Sequence, residues 1–521
     1  MDELFAGLDI STQGAKLVIL DWTNLTESYV DSINYDNDLP WYGTVNGVIK
    51  GNKLGVSESN PLMWIEAVEL LFKRAVDKQV PLKDIKAISV SGQQHGLVAL
   101  DKKGNLAHPV SKLWNDFSTQ EECDLLTQQV GGIDQMISEV GNTQRTGYTA
   151  SKIYHLVRHE KENYKKADIL FLVHNYINWY LTGGVAVLEP GDTSGMALWN
   201  PVTRSWSKKV LDSISADLMT KLPDVRSSTK SIGRVSNKLV DCFGFAPECK
   251  VDAGSGDNML GAIGTGNVEL GVVTISLGTS GTAYTFMDDL FVDPDGEIAC
   301  FCDSTGNYLP LLCVSNMANG YNDFLSTNSL SHTQFDELIS ITPPGNEGKL
   351  LIPWFDGERT PDIPLAAPLY FGFRTGDFDN KIIARSLLEG HVLNLHSGFD
   401  RLPVTPKIIH LTGGISRSFS WCQAIADIFH CETVPVKGEG AAMGAALHAA
   451  WVWFNEDGQN IDIRDVSNSF IKFREKSRCW PRKEYKSTYR TLKDLYRSLT
   501  KRIQGLESSD PFQIRQDLLP K

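Results

Sequence analysis

"FAGLDISTQGAKLVILD", Phe5 to Asp21, runs from an apolar stretch through a turn of small polar residues into a second apolar stretch. Far along the chain, "VVTISLGTSGTAYTFMD", Val272 to Asp288, repeats that plan around a turn of Gly, Thr and Ser. Each reads as a β-hairpin. Gly and Ser punctuate most turns, so one such hairpin says little. Two, each opening one half of the chain, predict a duplicated α/β domain.

The remaining pattern fits strands alternating with helices. "SNPLMWIEAVELLFKRAVDK" has helical spacing, with Ser59 or Asn60 starting a helix before Pro61. "IKAISVSG" reads as a buried strand and "LVALDKKGN" as a strand entering a turn, while "SKIYHLVRHEKENY" and "HNYINWYLTG" read as helices. Downstream, "NKIIARSLLEGHVLNLHSGFDRL" predicts a long amphipathic helix, "KIIHLTGG" a strand into a glycine turn, and "GAAMGAALHAAW" a helix of small residues. The prediction is an α/β fold of two domains, 1–253 and 254–521, divided near Val251 to Gly256. The last helix is free to pack back on the first domain.

Composition agrees. A chain of 521 residues exceeds one ordinary core. The net charge of −13, with no basic patch, argues against nucleic acid and anionic membrane as partners. "MDELFAGLDIS" has no signal-peptide pattern, and no apolar run is long enough to span a bilayer. Nine scattered cysteines, an odd number without framework spacing, fit a reducing cytoplasm.

The turns carry the chemistry. Ser11, Thr12 and Gln13 in one hairpin, and Gly278, Thr279 and Ser280 in the other, offer amides and hydroxyls suited to a phosphate. Asp9 ends its strand just before the first turn. A carboxylate there repels a phosphate unless a cation intervenes, which points to magnesium. Lys16 is a cation in reach, although an outward strand lysine is the commoner fate. In "LTGGISRS", Gly413 and Gly414 present bare backbone. With the "GEGAAMGAALHA" that follows, this suits a planar group such as adenine; the competing reading of that helix is close helix packing. Gln93, Gln94 and His95 in "VSGQQHG" supply donors and acceptors for a neutral polyhydroxylated ligand. "LWNDFS" adds Trp114 as an apolar face, with Asn115 and Asp116 beside it. Asp257, in "VDAGSGDNMLGAIGTG", either caps a helix starting at Asn258 or is a carboxylate kept for chemistry.

In their order along the chain, "GQQHG", "LWND", "GDN", "SLGTSG" and "IPWFDGERTP" resemble segments of the FGGY carbohydrate kinases, within the sugar-kinase, heat-shock ATPase and actin superfamily. The resemblance runs from Gly7 to about His448. It implies two ribonuclease-H-like domains with a cleft between them, ATP and Mg2+, and phosphorylation of a ketose at its primary hydroxyl. D-xylulose leads, with ribulose and sedoheptulose open. It further implies that Asp257 is the general base, and that Gln94, His95 and Asn258 hold the sugar with Asn115 and Asp116 near it. Arg145 falls near a family arginine that contacts substrate. Asp9, Thr12 and Thr279 would face magnesium and the phosphates, among Ser11, Gln13, Lys16, Gly278 and Ser280; Asp257 would also face the metal. Gly413, Gly414 and Arg417 would lie along the nucleoside. Helix amides would keep the Asp257 carboxylate ionised, and the glycines before it would leave room for substrate. A homodimer is the family-based expectation.

Some positions depart from the family pattern. Ser11 stands where a glycine is usual, Pro368 where a small residue is, and the segment typical of glycerol kinases is missing. The rival class is a non-catalytic clamp or sensor of the same fold. A chaperone-like clamp needs a further peptide-binding domain, and the roughly 70 residues after His448 are few for one. A degenerate sensor is expected to lack the base, yet Asp257 is present. His155 and His159 in "HLVRH" sit one helical turn apart, but no third ligand accompanies them at useful spacing, so they read as a surface pair. Cys300, Cys302 and Cys313 read as small buried strand residues, and Arg359 as a structural arginine.

Overall fold

Strand β1 (Leu4–Ile10) and β2 (Gly14–Asp21) form the first hairpin, and β3 (Thr26–Asn34) adds antiparallel to β2. The Ser11 hydroxyl and amide both donate to Gly14 O at 3.0 Å, closing the turn, and Ser11 is not among the left-handed residues. Serine therefore fits the position where glycine is usual without backbone strain. The computed structural model describes residues 3–438 and 440–519. These divide into two units: unit 1 holds the described residues up to Glu269 with Phe286–Pro310 and Gly438–Ile471, and unit 2 holds Leu270–Thr285, Leu311–Lys437 and the described residues from Lys472. One cut near Val251 to Gly256 does not describe that partition, because the chain changes unit several times. Among the described residues no helix is long and apolar enough to cross a membrane.

In unit 1, α1 (Pro61–Asp77) begins where the sequence indicates, with the Asn60 side chain accepting the Leu62 amide and Pro61 at the first helical position. β4 (Ile85–Gly92) pairs parallel with β1. Helices α2 (Gln120–Val130), α3 (Thr149–His159) and α4 (Val173–Thr182) follow. The single helix expected from Ser151 onward is interrupted at Glu160, whose φ of −129° and ψ of 50° are not helical. β5 (Ser231–Arg234) pairs with β6 (Lys250–Asp252), β6 pairs parallel with β4, and the short β7 (Ser255–Gly256) extends beside the end of β4. The sheet order is β5-β6-β4-β1-β2-β3. Helix α5 (Asp257–Gly264) leaves directly from β7.

Unit 2 repeats the plan. β8 (Val272–Leu277) and β9 (Gly281–Thr285) form the second hairpin, β10 (Leu311–Val314) joins β9, and β11 (Ile408–Thr412) and β12 (Glu432–Lys437) add parallel to β8. Between them lie α6 (Asn380–Phe399) and α7 (Phe419–Phe429). Both sheets thus run three antiparallel strands followed by parallel ones, the duplicated α/β domain expected from the hairpins. α6 is not amphipathic as expected. From Ala384 nearly every residue is buried, and its charges are satisfied inside: Arg385 donates to Ile339 O at 2.7 Å and Thr342 O at 2.8 Å and lies 3.6 Å from Glu389.

The chain then returns to unit 1 as α8 (Gly440–Glu456), before a short edge strand and the long α9 (Lys486–Ile503), which lies in unit 2. Period-two alternation explains where α8 docks. Leu4, Ala6, Leu8 and Ile10 of β1 share a core with Trp64, Leu71 and Phe72 of α1. Phe5, Gly7 and Asp9 therefore point to the opposite face, where α8 lies. A Cβ on Gly7 would fall 2.1 Å from Ala442 O, so strand and helix meet backbone to backbone. Gly444 and Gly264 make the same approach between α8 and α5, where added Cβ atoms would fall 1.7 Å from Leu260 O and 2.0 Å from Gly440 O. The small residues of "GAAMGAALHA" serve this close packing from Ala442 to Ala446, while Gly440 at the start of the helix has nothing within 4 Å of an added Cβ.

Candidate active site

The carboxyl ends of β1, β4 and β7 lie side by side in unit 1, and the predicted polar residues cluster there. Asp9 pairs in register with Ser91, whose hydroxyl donates to Asp9 Oδ1 at 2.7 Å. The amide of Gln93 donates to Ile10 O at 2.9 Å, locking the "GQQHG" turn to the end of β1. Thr12 donates to Gln93 Oε1 at 3.2 Å and accepts the Trp114 indole N–H at 2.9 Å. Gln13 is exposed at the tip. Lys16 is the cross-strand partner of Asp9 and acts on that carboxylate.

Asp257 is the first residue of α5. The cap position belongs to Gly256, and no side chain caps the end, so the helix does not start at Asn258 under an aspartate cap as expected. The preceding glycines have a different reason from the one anticipated. Gly254 has φ +65°, and a Cβ there would meet Val90 O at 2.2 Å; one on Gly256 would meet Gln94 Cγ at 2.7 Å. They admit β4 and Gln94. The Asn258 amide donates to Gln94 Oε1 at 2.8 Å and to Asp257 Oδ1 at 3.1 Å. Gln94 Nε2 is a buried donor without a partner among the described residues, an opening for a ligand oxygen.

Electrostatics at Asp257 also differ from expectation. Burial, then the neighbouring carboxylates of Asp9 and Asp192, push its pKa up to about 8, and the amides of Asn258 and Asp257 itself only partly oppose this. Burial likewise raises Asp9, against the pull of Ser91 and Lys16. Two carboxylates that disfavour each other's charge, with hard oxygen donors facing one region, fit a divalent cation such as Mg2+.

His95 is buried in the left-handed region at φ +66°. Its carbonyl accepts from Lys152 Nζ at 2.7 Å and Thr149 Oγ1 at 3.3 Å, and its ring packs against Tyr148 and Phe301 with centroids 4.8 and 6.0 Å away. Lys152 also donates to Gly147 O at 2.6 Å, and burial pulls its pKa down to about 7. The Asp192 carboxylate lies 3.0 Å from His174 Nδ1. Glu189 accepts the amides of Gly191 and Asp192, each at 2.7 Å, and the Ser255 hydroxyl at 2.9 Å, bracing the strand that delivers Asp257. Lys152, His174, Glu189 and Asp192 were not among the predicted site residues. Only the "EPGD" string at Glu189, an acid before a proline, hinted at a built helix start.

Not every predicted residue joins the cluster. Asp116 is fully buried, and both its oxygens are occupied, by the Ser57 amide at 2.9 Å, Lys112 at 3.4 Å, and the Ser118 amide and hydroxyl at 3.0 and 2.6 Å. It organises its own turn and has no acceptor left for a sugar. Asn115 receives Ser57 Oγ at 2.7 Å. Arg145 reaches Thr143 and Gly296 O, each at 3.2 Å.

In unit 2 the second set gathers at the carboxyl ends of β8 and β11, where Ser276 pairs with Thr412. Gly278 N donates to Ser280 O at 3.2 Å, and Thr279 O accepts the Met317 and Ala318 amides, each at 3.1 Å, leaving the Thr279 side chain exposed. Gly413 has φ +84°, and a Cβ there would lie 2.4 Å from Leu277 O, so the turn after β11 lies flat on the end of β8. Gly414 and Arg417 are exposed beside it. Arg359 Nη1 lies 3.5 Å from Cys313 Sγ, in keeping with a structural arginine. Cys300 and Cys302 are buried, but outside regular strands.

Comparisons with known proteins give the family and the fold. Residues 4–264 match the model of the N-terminal domain of the FGGY family of carbohydrate kinases, and residues 315–453 match its C-terminal domain. The xylulose kinase of Haemophilus influenzae is 32% identical over 93% of this chain and 98% of its own length. Two solved structures from Lactobacillus acidophilus, described as a gluconate kinase and a ligand-bound xylulose kinase, each superpose with a TM-score of 0.85 at 23% identity. Each comparison covers 96% of this chain and 98% of the other.

Proposed function

Since this chain belongs to the FGGY family of carbohydrate kinases, we propose that the sugar it phosphorylates with ATP is a ketose, D-xylulose, at its primary hydroxyl. The observation that carries the reading is Asp257, set at the start of α5 beside Asp9 and next to the Asn258–Gln94 amide pair. Burial and the neighbouring carboxylates raise Asp257 and so make its carboxylate form a stronger base for the sugar hydroxyl. Asp257 takes the proton of the attacking hydroxyl as its oxygen bonds to the γ-phosphorus, and the bond to ADP breaks. Gln94, His95 and Asn258 hold the ketose, with the Gln94 Nε2 donor and the His95 imidazole facing its hydroxyls. Asp9 and Asp257 would hold Mg2+, which neutralises phosphate charge when bound. Thr12 with its turn, and Thr279 with Gly278 and Ser280, face the phosphates; Gly413, Gly414 and Arg417 line the nucleoside.

Nine unpaired thiols support the cytoplasm as the place of work. The deciding experiment is ADP release measured across a panel of ketoses, aldoses, polyols and gluconate. D-xylulose should give the highest kcat/KM. Preference for ribulose, sedoheptulose or gluconate would overturn the substrate assignment, and ADP release with no sugar on the panel would overturn the acceptor class.

A further inference from the structure

The histidine pair that read as a plain surface feature has a third partner, supplied by another helix. His155 and His159 lie one turn apart on α3, their ring centroids 4.7 Å apart. Glu122, on α2, is buried to 2% exposure between them. Its Oε1 is 3.0 Å from His159 Nε2 and its Oε2 is 3.6 Å from His155 Nδ1. One ligand atom from each residue falls within 4.8 Å of the others. His155 Nδ1 is buried and makes no hydrogen bond among the described residues. Ligand atoms around a tetrahedral zinc, bonded at about 2.0–2.2 Å, stand about 3.3 Å apart, so the 3.0 and 3.6 Å pairs already fit and a pair at the 4.8 Å limit would have to close by about 1.5 Å through side-chain rotation.

We propose that Glu122, His155 and His159 form a Zn2+ site that ties α2 to α3. Two imidazoles and one carboxylate with water as the fourth ligand are a donor set that zinc accepts. The site lies in the last turn of α3, where helix carbonyls favour a cation. Arg158 competes for the same carboxylate, donating to Glu122 Oε1 at 2.6 Å. Its other arm is on Glu121 at 2.6 Å, while Oε2 is the oxygen 3.6 Å from His155 Nδ1, so the carboxylate can ligate through Oε2 with Arg158 holding Oε1. The tie has a reach beyond itself, because the first turn of α3 carries Thr149 and Lys152, which support the His95 carbonyl.

The test uses the full chain stripped with a chelator, without nucleotide or sugar. Titration with Co2+ as a spectroscopic stand-in should produce the visible bands of a tetrahedral site at one equivalent, and Zn2+ should displace them. His159 is 45% exposed, so His159→Ala should fold normally. That variant and His155→Ala should bind Zn2+ more weakly by more than the roughly 10- to 100-fold that loss of an outer-shell partner costs. Zn2+ should raise the melting temperature of the parent and leave His159→Ala unmoved. If the parent gives no such bands, or both variants bind as the parent does, the proposal falls and the residues are an ion-pair cluster around Arg158.

Discussion

Replacing Gly444 with alanine tests whether the α5–α8 crossing sets the position of Asp257. The added Cβ would lie 1.7 Å from Leu260 O, 2.6 Å from Leu260 C and 2.8 Å from Gly264 N, all backbone atoms that no rotamer change can clear. Ordinary contact begins at 3.4 Å, so the helices must part by 1.7 Å along that line, the difference between 3.4 and 1.7. Alanine in place of glycine returns about 1 kcal/mol of helix propensity. Overpacking of a filled interior costs about 1–3 kcal/mol and more against backbone, so the clash wins. The strain falls on Leu260, one turn after Asp257, and a shift of about 1 Å at a reacting group costs on the order of 100-fold in rate. Gly444→Ala should therefore melt several degrees lower and lose kcat far more than it changes the KM for ATP, because the predicted nucleoside residues Gly413, Gly414 and Arg417 belong to unit 2. Steady-state kinetics with a thermal melt decides the matter. Unchanged melting and kcat would show that the crossing has slack. Lower stability with normal kcat would show that α5 yields without moving its first residue.

Three other outcomes follow from the same structure. Asp257→Ala should cut turnover by about two to four orders of magnitude, the range for a general base, with sugar binding kept in part; near-normal turnover would remove it from the mechanism. Lys152→Met leaves the carbonyls of His95 and Gly147 without their charged donor, a loss of about 1.5–3 kcal/mol per bond. It should raise the KM for sugar at least tenfold while the KM for ATP holds, and equal loss of both would mean that the lysine serves the fold alone. His391 and His448 are buried, and burial pulls both pKa values down to about 4 from 6.5. The unfolded chain then takes up protons first, so the stability they contribute is full above pH 6.5 and is lost as pH falls toward 4. A drop of 2.5, from 6.5 to 4, is worth about 3 kcal/mol per histidine. Urea midpoints between pH 7 and 4.5 should fall steeply, and less steeply in His448→Gln; an identical slope in that variant would refute the assignment.

What the sequence disclosed was local. The hairpins at Ser11 and Thr279 and the cap at Asn60 depend on neighbours a few residues away, and each appears where its residues indicate. Asp257 was singled out by its segment, but its environment was not. The carboxylates that raise its pKa are Asp9 and Asp192, far from it in the chain and invisible to spacing. The same limit hid Glu122 from the histidine pair and Glu189 from Ser255. Asp116 failed in the opposite direction. A conspicuous acid beside a tryptophan looked available, whereas four donors already fill its oxygens. Composition revealed the small residues of α8, but only the Gly7 and Gly264 contacts show what they approach.

The late position of α8 in the chain bears on how the protein is made. Its alanines and Leu447 share an apolar layer with Val18, Leu20 and Leu260. Gly440 follows Glu269, the end of the first long stretch of unit 1, by 171 residues, 440 minus 269. At about 5–20 residues per second, a ribosome delivers α8 roughly 10–30 s after that stretch. Through that interval the face of β1 and β2 around Gly7 and Val18 has no helix to cover it, so the nascent chain offers chaperones an apolar surface. A fragment ending before Gly440 keeps that surface permanently, and expressing residues 1–269 alone should give an aggregating product.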